Sequence, residues 1–219
     1  PSHLVVVITG SQRPWGATGS DAPRNLADAL RVAGSSVAEG HGVVVVMNGQ
    51  IHAAADVTKA GTYELDAFSS GFWGPIGTIG ADGVVRMRRS PGPVSTDAMR
   101  SIDEALPPMP EIELVTSFPG SGGHAIRAAR RAGVRGVVIE ALAPGLVTPA
   151  ELVELRAAIA DGICVVVSSR SRRGSVVLHG ELAEAGAVSA GGLVAHKARI
   201  ALMVAVAFGL PPGWVASAG

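Results

Sequence analysis

Sixteen of the eighteen cationic side chains in this 219-residue sequence are arginine; the two lysines are Lys59 and Lys197. Where arginine is the habitual cation, a lysine marks a place for a compact amine that can lose its proton. Lys59 closes the run Asp56-Val57-Thr58-Lys59, ten residues beyond Gly49. A neutral or partly neutral amine there is able to take a proton from a hydroxyl nucleophile. The competing reading is a surface cation paired with Asp56, and the stretch alone does not separate the two. Lys59 is the leading catalytic candidate.

Three further polar clusters stand where strands are expected to end. Thr9-Gly10-Ser11-Gln12-Arg13-Pro14 follows an apolar run and reads as a binding loop or a plain strand exit. Residues 119–124, Pro-Gly-Ser-Gly-Gly-His, join a strand to a helix but match neither GxGxxG nor GxxxxGK[ST], so a tight turn outweighs an anion cradle. Ser168-Ser169-Arg170 likewise ends a strand. The six histidines are scattered without ligand spacing, so no metal site is expected.

These residues need elements to place them. Val43 to Val46 is a continuous apolar run, the pattern of a strand buried on both faces of a parallel sheet. Met47 and Asn48 are expected to carry the backbone out of that sheet, with Gly49 permitting a turn. Residues 4–8 form another wholly apolar strand. Between the two, Asp21 is a helix N-cap with Pro23 in the first turn, Leu26, Leu30 and Ala33 make an apolar stripe, and Gly34 ends the helix. Strand, helix, strand makes one βαβ crossover, so the two strands should run parallel. Ligands in open α/β sheets lie beyond the carboxyl ends of the strands, which is where the Thr9–Pro14 cluster and Lys59 follow.

Residues 76–89 read as a hairpin turning at Asp82-Gly83, with Arg86, Arg88 and Arg89 on a solvated face. Residues 90–110 hold five prolines, the composition of a linker. The α/β rhythm then resumes. Strands are expected at 112–118, 134–142 and 163–168, and helices at 124–132 and, capped by Thr148-Pro149, at 150–160. A short hairpin is expected around 176–178, and a closing helix over 194–208 is apolar nearly all round. The fold class is therefore α/β. A parallel-sheet, three-layer but incomplete amino-terminal domain covers residues 1–90, a linker 91–110, and a smaller α/β domain 111–219.

Composition narrows the function. With 47% hydrophobic residues, 16% charged and zero net charge, the chain has a sizeable core and no electrostatic case for nucleic acid or acidic membranes. The single cysteine, Cys164, lies in an apolar run and excludes a disulfide within the chain. No apolar run reaches the ~18–20 residues of a membrane span. The chain opens on Pro1 rather than methionine and enters a strand at once. Processing of the amino terminus would explain that, and so would a piece of a longer protein, whose start would then hold any targeting segment. The compartment expected is the cytoplasm.

Assembled in order, Thr9-Gly10-Ser11-Gln12-Arg13-Pro14, Ser20-Asp21-Ala22-Pro23-Arg24-Asn25-Leu26, Val45-Val46-Met47-Asn48 followed by Asp56-Val57-Thr58-Lys59, Gly74-Pro75-Ile76-Gly77 and Lys197-Ala198-Arg199-Ile200-Ala201-Leu202 resemble the bacterial-type L-asparaginase/glutaminase family. The resemblance runs from about residue 4 to 208. It implies hydrolysis of asparagine, perhaps glutamine, without metal or organic cofactor. A threonine hydroxyl attacks the side-chain amide, ammonia leaves, and water hydrolyses the acyl-enzyme. A second threonine, an aspartate and a lysine manage the protons, and Lys59 matches that lysine. Ser11 falls where the family places a backbone group that touches the substrate amide. The carboxy-terminal domain resembles one that completes a neighbouring subunit's site, in dimers or tetramers.

The family's two threonine motifs are absent and are expected upstream of Pro1; Thr96-Asp97 lies in the linker and does not take the role. Gly120 stands where the family often carries an asparagine, and Ala143-Pro144-Gly145-Leu146 replaces its GlyAsnGlyAsn loop. Without its nucleophile the 219-residue chain should be nearly inactive. The alternatives are a catalytically dead homologue that binds an amino acid or acts as a scaffold, and an amidotransferase subunit.

Overall fold

Alternating apolar runs and amphipathic helices produce two units, divided after Pro93. The computed structural model describes residues 4–91 and 107–218. Most of the proline-rich stretch, with Thr96-Asp97, therefore lies outside the described residues.

In the first unit β1 (Val5–Thr9) pairs parallel with β2 (Gly42–Met47), Val5 opposite Gly42 and Thr9 opposite Val46. The connection is α1 (Ala22–Ala33), as the crossover requires. Asn48 and Gly49 both have positive φ, 49° and 71°, and form a two-residue turn into β3 (Gln50–Ala53), which pairs antiparallel with β2. The expectation that the chain leaves the sheet at Met47 is thus corrected: it turns back beside β2. A short separate ribbon follows, β4 (Thr58–Lys59) with β5 (Phe68–Ser69). The expected hairpin is β6 (Gly77–Ile79) and β7 (Val85–Met87), and it extends the sheet to the order β1-β2-β3-β6-β7.

Side chains alternate across this sheet. Val44, Val46, Ile51 and Ala53 are buried in one cluster with Ala29 and Val32 of α1. On the opposite side Val6, Ile8 and Val43 are 53%, 50% and 43% exposed. The valine run is therefore buried on one face, not two. The stripe expected on α1 is also corrected: Leu26 and Leu30 are exposed, and the buried positions are Asn25, Asp28, Ala29 and Val32. Asp28 is tolerated inside because Arg24 and Arg31 bridge to it at 2.7 and 2.8 Å.

The second unit is a parallel sheet in the order β11-β10-β9-β8. Its elements are β8 (Ile112–Thr116), α2 (His124–Ala132), β9 (Gly136–Ala141), α3 (Pro149–Ala160), β10 (Cys164–Ser169), α4 (Gly180–Ala185), β11 (Val188–Ser189) and α5 (Ala195–Ala207). No hairpin forms around Val176–Leu178; α4 and a parallel β11 follow instead. Val137 and Ile139 pack with α2 and α3, whereas Val138 and Val166 pack with α5, so helices cover both faces. Close approach of α5 requires Gly136: a Cβ there would sit 2.8 Å from Leu202 Cδ2.

Candidate functional site

The loop after β1 is fastened to α1 by side chains rather than by the helix cap. Asp21 precedes α1 but makes no side-chain capping bond. Its carboxylate accepts instead from the Gln12 amide at 3.1 and 3.0 Å, from the Arg13 amide at 3.0 Å, and from Asn25 Nδ2 at 2.8 Å. Burial by itself would raise this carboxyl, but the Gln12 and Arg13 amides outweigh it and hold it below the usual carboxylate range. Asn25, one helical turn on and 1% exposed, donates to the Gly10 carbonyl at 2.9 Å and accepts from the Asn48 amide at 3.0 Å. One i,i+4 pair therefore ties together the exits of β1 and β2.

Ser11 is exposed on this loop, with its neighbours anchored on either side. Lys59 is exposed at the end of β4, opposite Phe68. The segments that carry them are joined where Gln12 Nε2 donates to the Glu64 carbonyl at 2.9 Å. Asp56 does not pair with Lys59. It bonds Arg89 at 2.9 Å, and the same Arg89 nitrogen donates to the Gly74 carbonyl at 3.1 Å. The expectation that Arg89 merely decorates a solvated face is corrected accordingly.

His52 on β3 and Ser70 directly after β5 are buried, with His52 Nδ1 2.9 Å from the Ser70 hydroxyl. Burial pushes the His52 imidazole below its ordinary value, and the Asp56 charge works against that shift. Sequence reasoning missed both Asp21–Asn25 and His52–Ser70. A polar pair at helical spacing and the Asn48-Gly49 turn were the available signals.

The second unit has its own polar strand exits. Ser117 donates to Glu151 Oε2 at 2.6 Å, and Glu151 with Thr148 completes a capping box on α3. Ser168 donates to the Leu193 carbonyl at 2.8 Å and Arg170 to the Ser117 carbonyl at 3.2 Å, so this exit is structural. The Gly-rich turn places Gly120 and Gly123 at φ 87° and 72°, and a Cβ on Gly123 would lie 2.9 Å from the Ala150 carbonyl. Among the described residues no group of His, Cys, Asp or Glu is arranged to hold a metal. No helix among them is long and apolar enough to cross a membrane.

Known proteins resemble this chain along most of its length. Residues 2–92 match the family model described as Asparaginase, N-terminal, and residues 111–214 match Glutaminase/Asparaginase C-terminal domain. The chain is 33% identical to L-asparaginase 2 of Bacillus subtilis, over 94% of this chain and 54% of that protein. It is 32% identical to the probable periplasmic L-asparaginase of Haemophilus influenzae, over 92% and 58%. It is 30% identical to the glutaminase-asparaginase of Pseudomonas fluorescens, over 92% and 56%. The chain thus spans somewhat more than half the length of these relatives.

Proposed function

Because the chain belongs to the asparaginase/glutaminase family, we propose that it is part of an amidohydrolase that converts L-asparagine, and L-glutamine as a second substrate, to the acid and ammonia. The nucleophile is a threonine on sequence preceding Pro1. Its hydroxyl oxygen bonds the amide carbon, the C–N bond breaks, and ammonia leaves with the proton taken from the hydroxyl. Water then attacks the ester, releasing the acid and restoring the threonine. Lys59 handles protons in both steps, and the Ser11 main chain holds the amide. No metal or organic cofactor enters the reaction.

The observation that carries this reading is the exposed Lys59 on β4, with Asp56 engaged by Arg89 and its ribbon joined to the Ser11 loop through Gln12 and Glu64. In the whole protein, residues 1–90 belong to the catalytic domain, 91–110 connect, and 111–219 form the carboxy-terminal domain. That domain completes a neighbour's site in a homodimer or homotetramer, which sedimentation tests. The cytoplasm is the compartment we assign, and cell fractionation tests it against the periplasm of the Haemophilus relative.

The decisive assay is ammonia release from asparagine and glutamine by the intact protein and its Lys59→Met variant. Release by the first and not the second supports the reading. Full activity in the variant sinks the role of Lys59. A protein stabilised by asparagine that releases no ammonia is instead a binding homologue.

A further inference from the structure

The main chain around Ser11 is held from one side only. The Gly10 carbonyl accepts from Asn25 at 2.9 Å, and the Gln12 amide donates to both Asp21 oxygens. Asp21, the residue just before α1, and Asn25 in its first turn are joined at 2.8 Å. Both peptide bonds flanking Ser11 are trans, since the one cis bond among the described residues is Ala143–Pro144. In a trans peptide the C=O and the following N–H point in opposite directions. With the Gly10 carbonyl aimed at Asn25, the Ser11 N–H points away from α1. With the Gln12 N–H aimed at Asp21, the Ser11 carbonyl also points away from α1. Neither group is engaged by another described residue.

We propose that Asp21 and Asn25 are positioning residues that present the Ser11 N–H and C=O as a donor–acceptor pair for the primary carboxamide of the substrate, an inference that rests on the amidohydrolase reading. A carboxamide gives an N–H to the Ser11 carbonyl. The carboxylate of the acid product has none to give and sets two oxygen lone pairs against that carbonyl. The pair therefore selects amide over acid, at a place where the product must leave. A carboxylate at position 21 suits the task because it accepts from two successive amides at once and binds each more strongly than a neutral acceptor. Asn25 supplies what a carboxylate cannot, a donor for Gly10 together with an acceptor for Asn48.

The test uses the intact protein with Asp21→Ala, Asp21→Asn and Asn25→Ala. It measures kcat and KM for asparagine, the inhibition constant of aspartate, and the rise in melting temperature that each ligand produces. Asp21→Ala should raise KM for asparagine about tenfold, the worth of one misplaced hydrogen bond. The aspartate constant should stay within about twofold. Asp21→Asn, which keeps one acceptor oxygen and the side-chain shape, should fall between, and it serves if the alanine variant does not fold. Asparagine and aspartate weakening in step, or neither weakening, overturns this inference alone. A wild-type protein that neither releases ammonia nor is stabilised by asparagine overturns the functional reading as well.

Discussion

Asp56 and Arg89, thirty-three residues apart, close an ion pair of 2.9 Å that leaves Lys59 without an ionic partner among the described residues. The pair is partly buried, and Arg89 also reaches the Gly74 carbonyl, so one side chain ties the stretch before β4 to the turn before β6. The lysine is thereby kept from collapsing onto the nearest carboxylate in sequence.

Lys59→Met should cut ammonia release by the intact protein about 10²–10⁴-fold, the usual contribution of a positioned proton carrier. Because the side chain is exposed and unpaired among the described residues, unfolding free energy should change by no more than about 0.5 kcal/mol. Urea denaturation beside the kinetic assay checks both halves. A large stability loss would place Lys59 in the scaffold instead.

Arg89→Ala should lower stability by about 1 kcal/mol, since the pair is only partly shielded from water and a hydrogen bond to Gly74 goes with it. Arg89→Lys should recover part of that. The freed Asp56 then has Lys59 as its nearest lysine in sequence. Activity should consequently fall further in Arg89→Ala than the stability loss explains.

Stability should decline as pH falls from 7.5 to 5.5. Burial lowers the folded-state pKa of His52, and burial with the Lys197 and Arg172 charges does the same for His196. Below the unfolded-state value of about 6.5 the unfolded chain binds protons that the folded chain refuses, so stability rises with pH across that window. His52→Asn should flatten the slope of urea midpoint against pH. An unchanged slope would clear His52 of the effect.

Ser117→Ala should cost about 1–3 kcal/mol, more than a surface hydroxyl, because Glu151 is fully buried and Ser117 is one of its donors. Thr148→Ala should cost about 1 kcal/mol through the helix cap. Both are measurable by denaturant titration.

Much of this architecture could be read from the residues. The helix over 124–132 was legible to the residue, because Gly123 and Gly133, both with positive φ, bracket it. The capping box at Thr148 and the Asp82-Gly83 hairpin carried comparable signals. Hydropathy misled on α1, where Asn25 and Asp28 are buried by hydrogen bonds and ion pairs while Leu26 and Leu30 face outward. Nor does residue type reveal that Asp21 bonds a loop nine residues upstream rather than its own helix. The segment around Val176 lacked periodicity because its backbone runs singly before a six-residue helix.

One feature of the first sheet bears on handling. Val6, Ile8 and Val43 offer an oily strip beside β1, whose outer rim has no neighbouring strand among the described residues. Prepared by itself, the chain should brighten a hydrophobic dye and clump as its concentration rises. The 111–219 segment, jacketed on both sides of its sheet, should stay monodisperse under the same conditions.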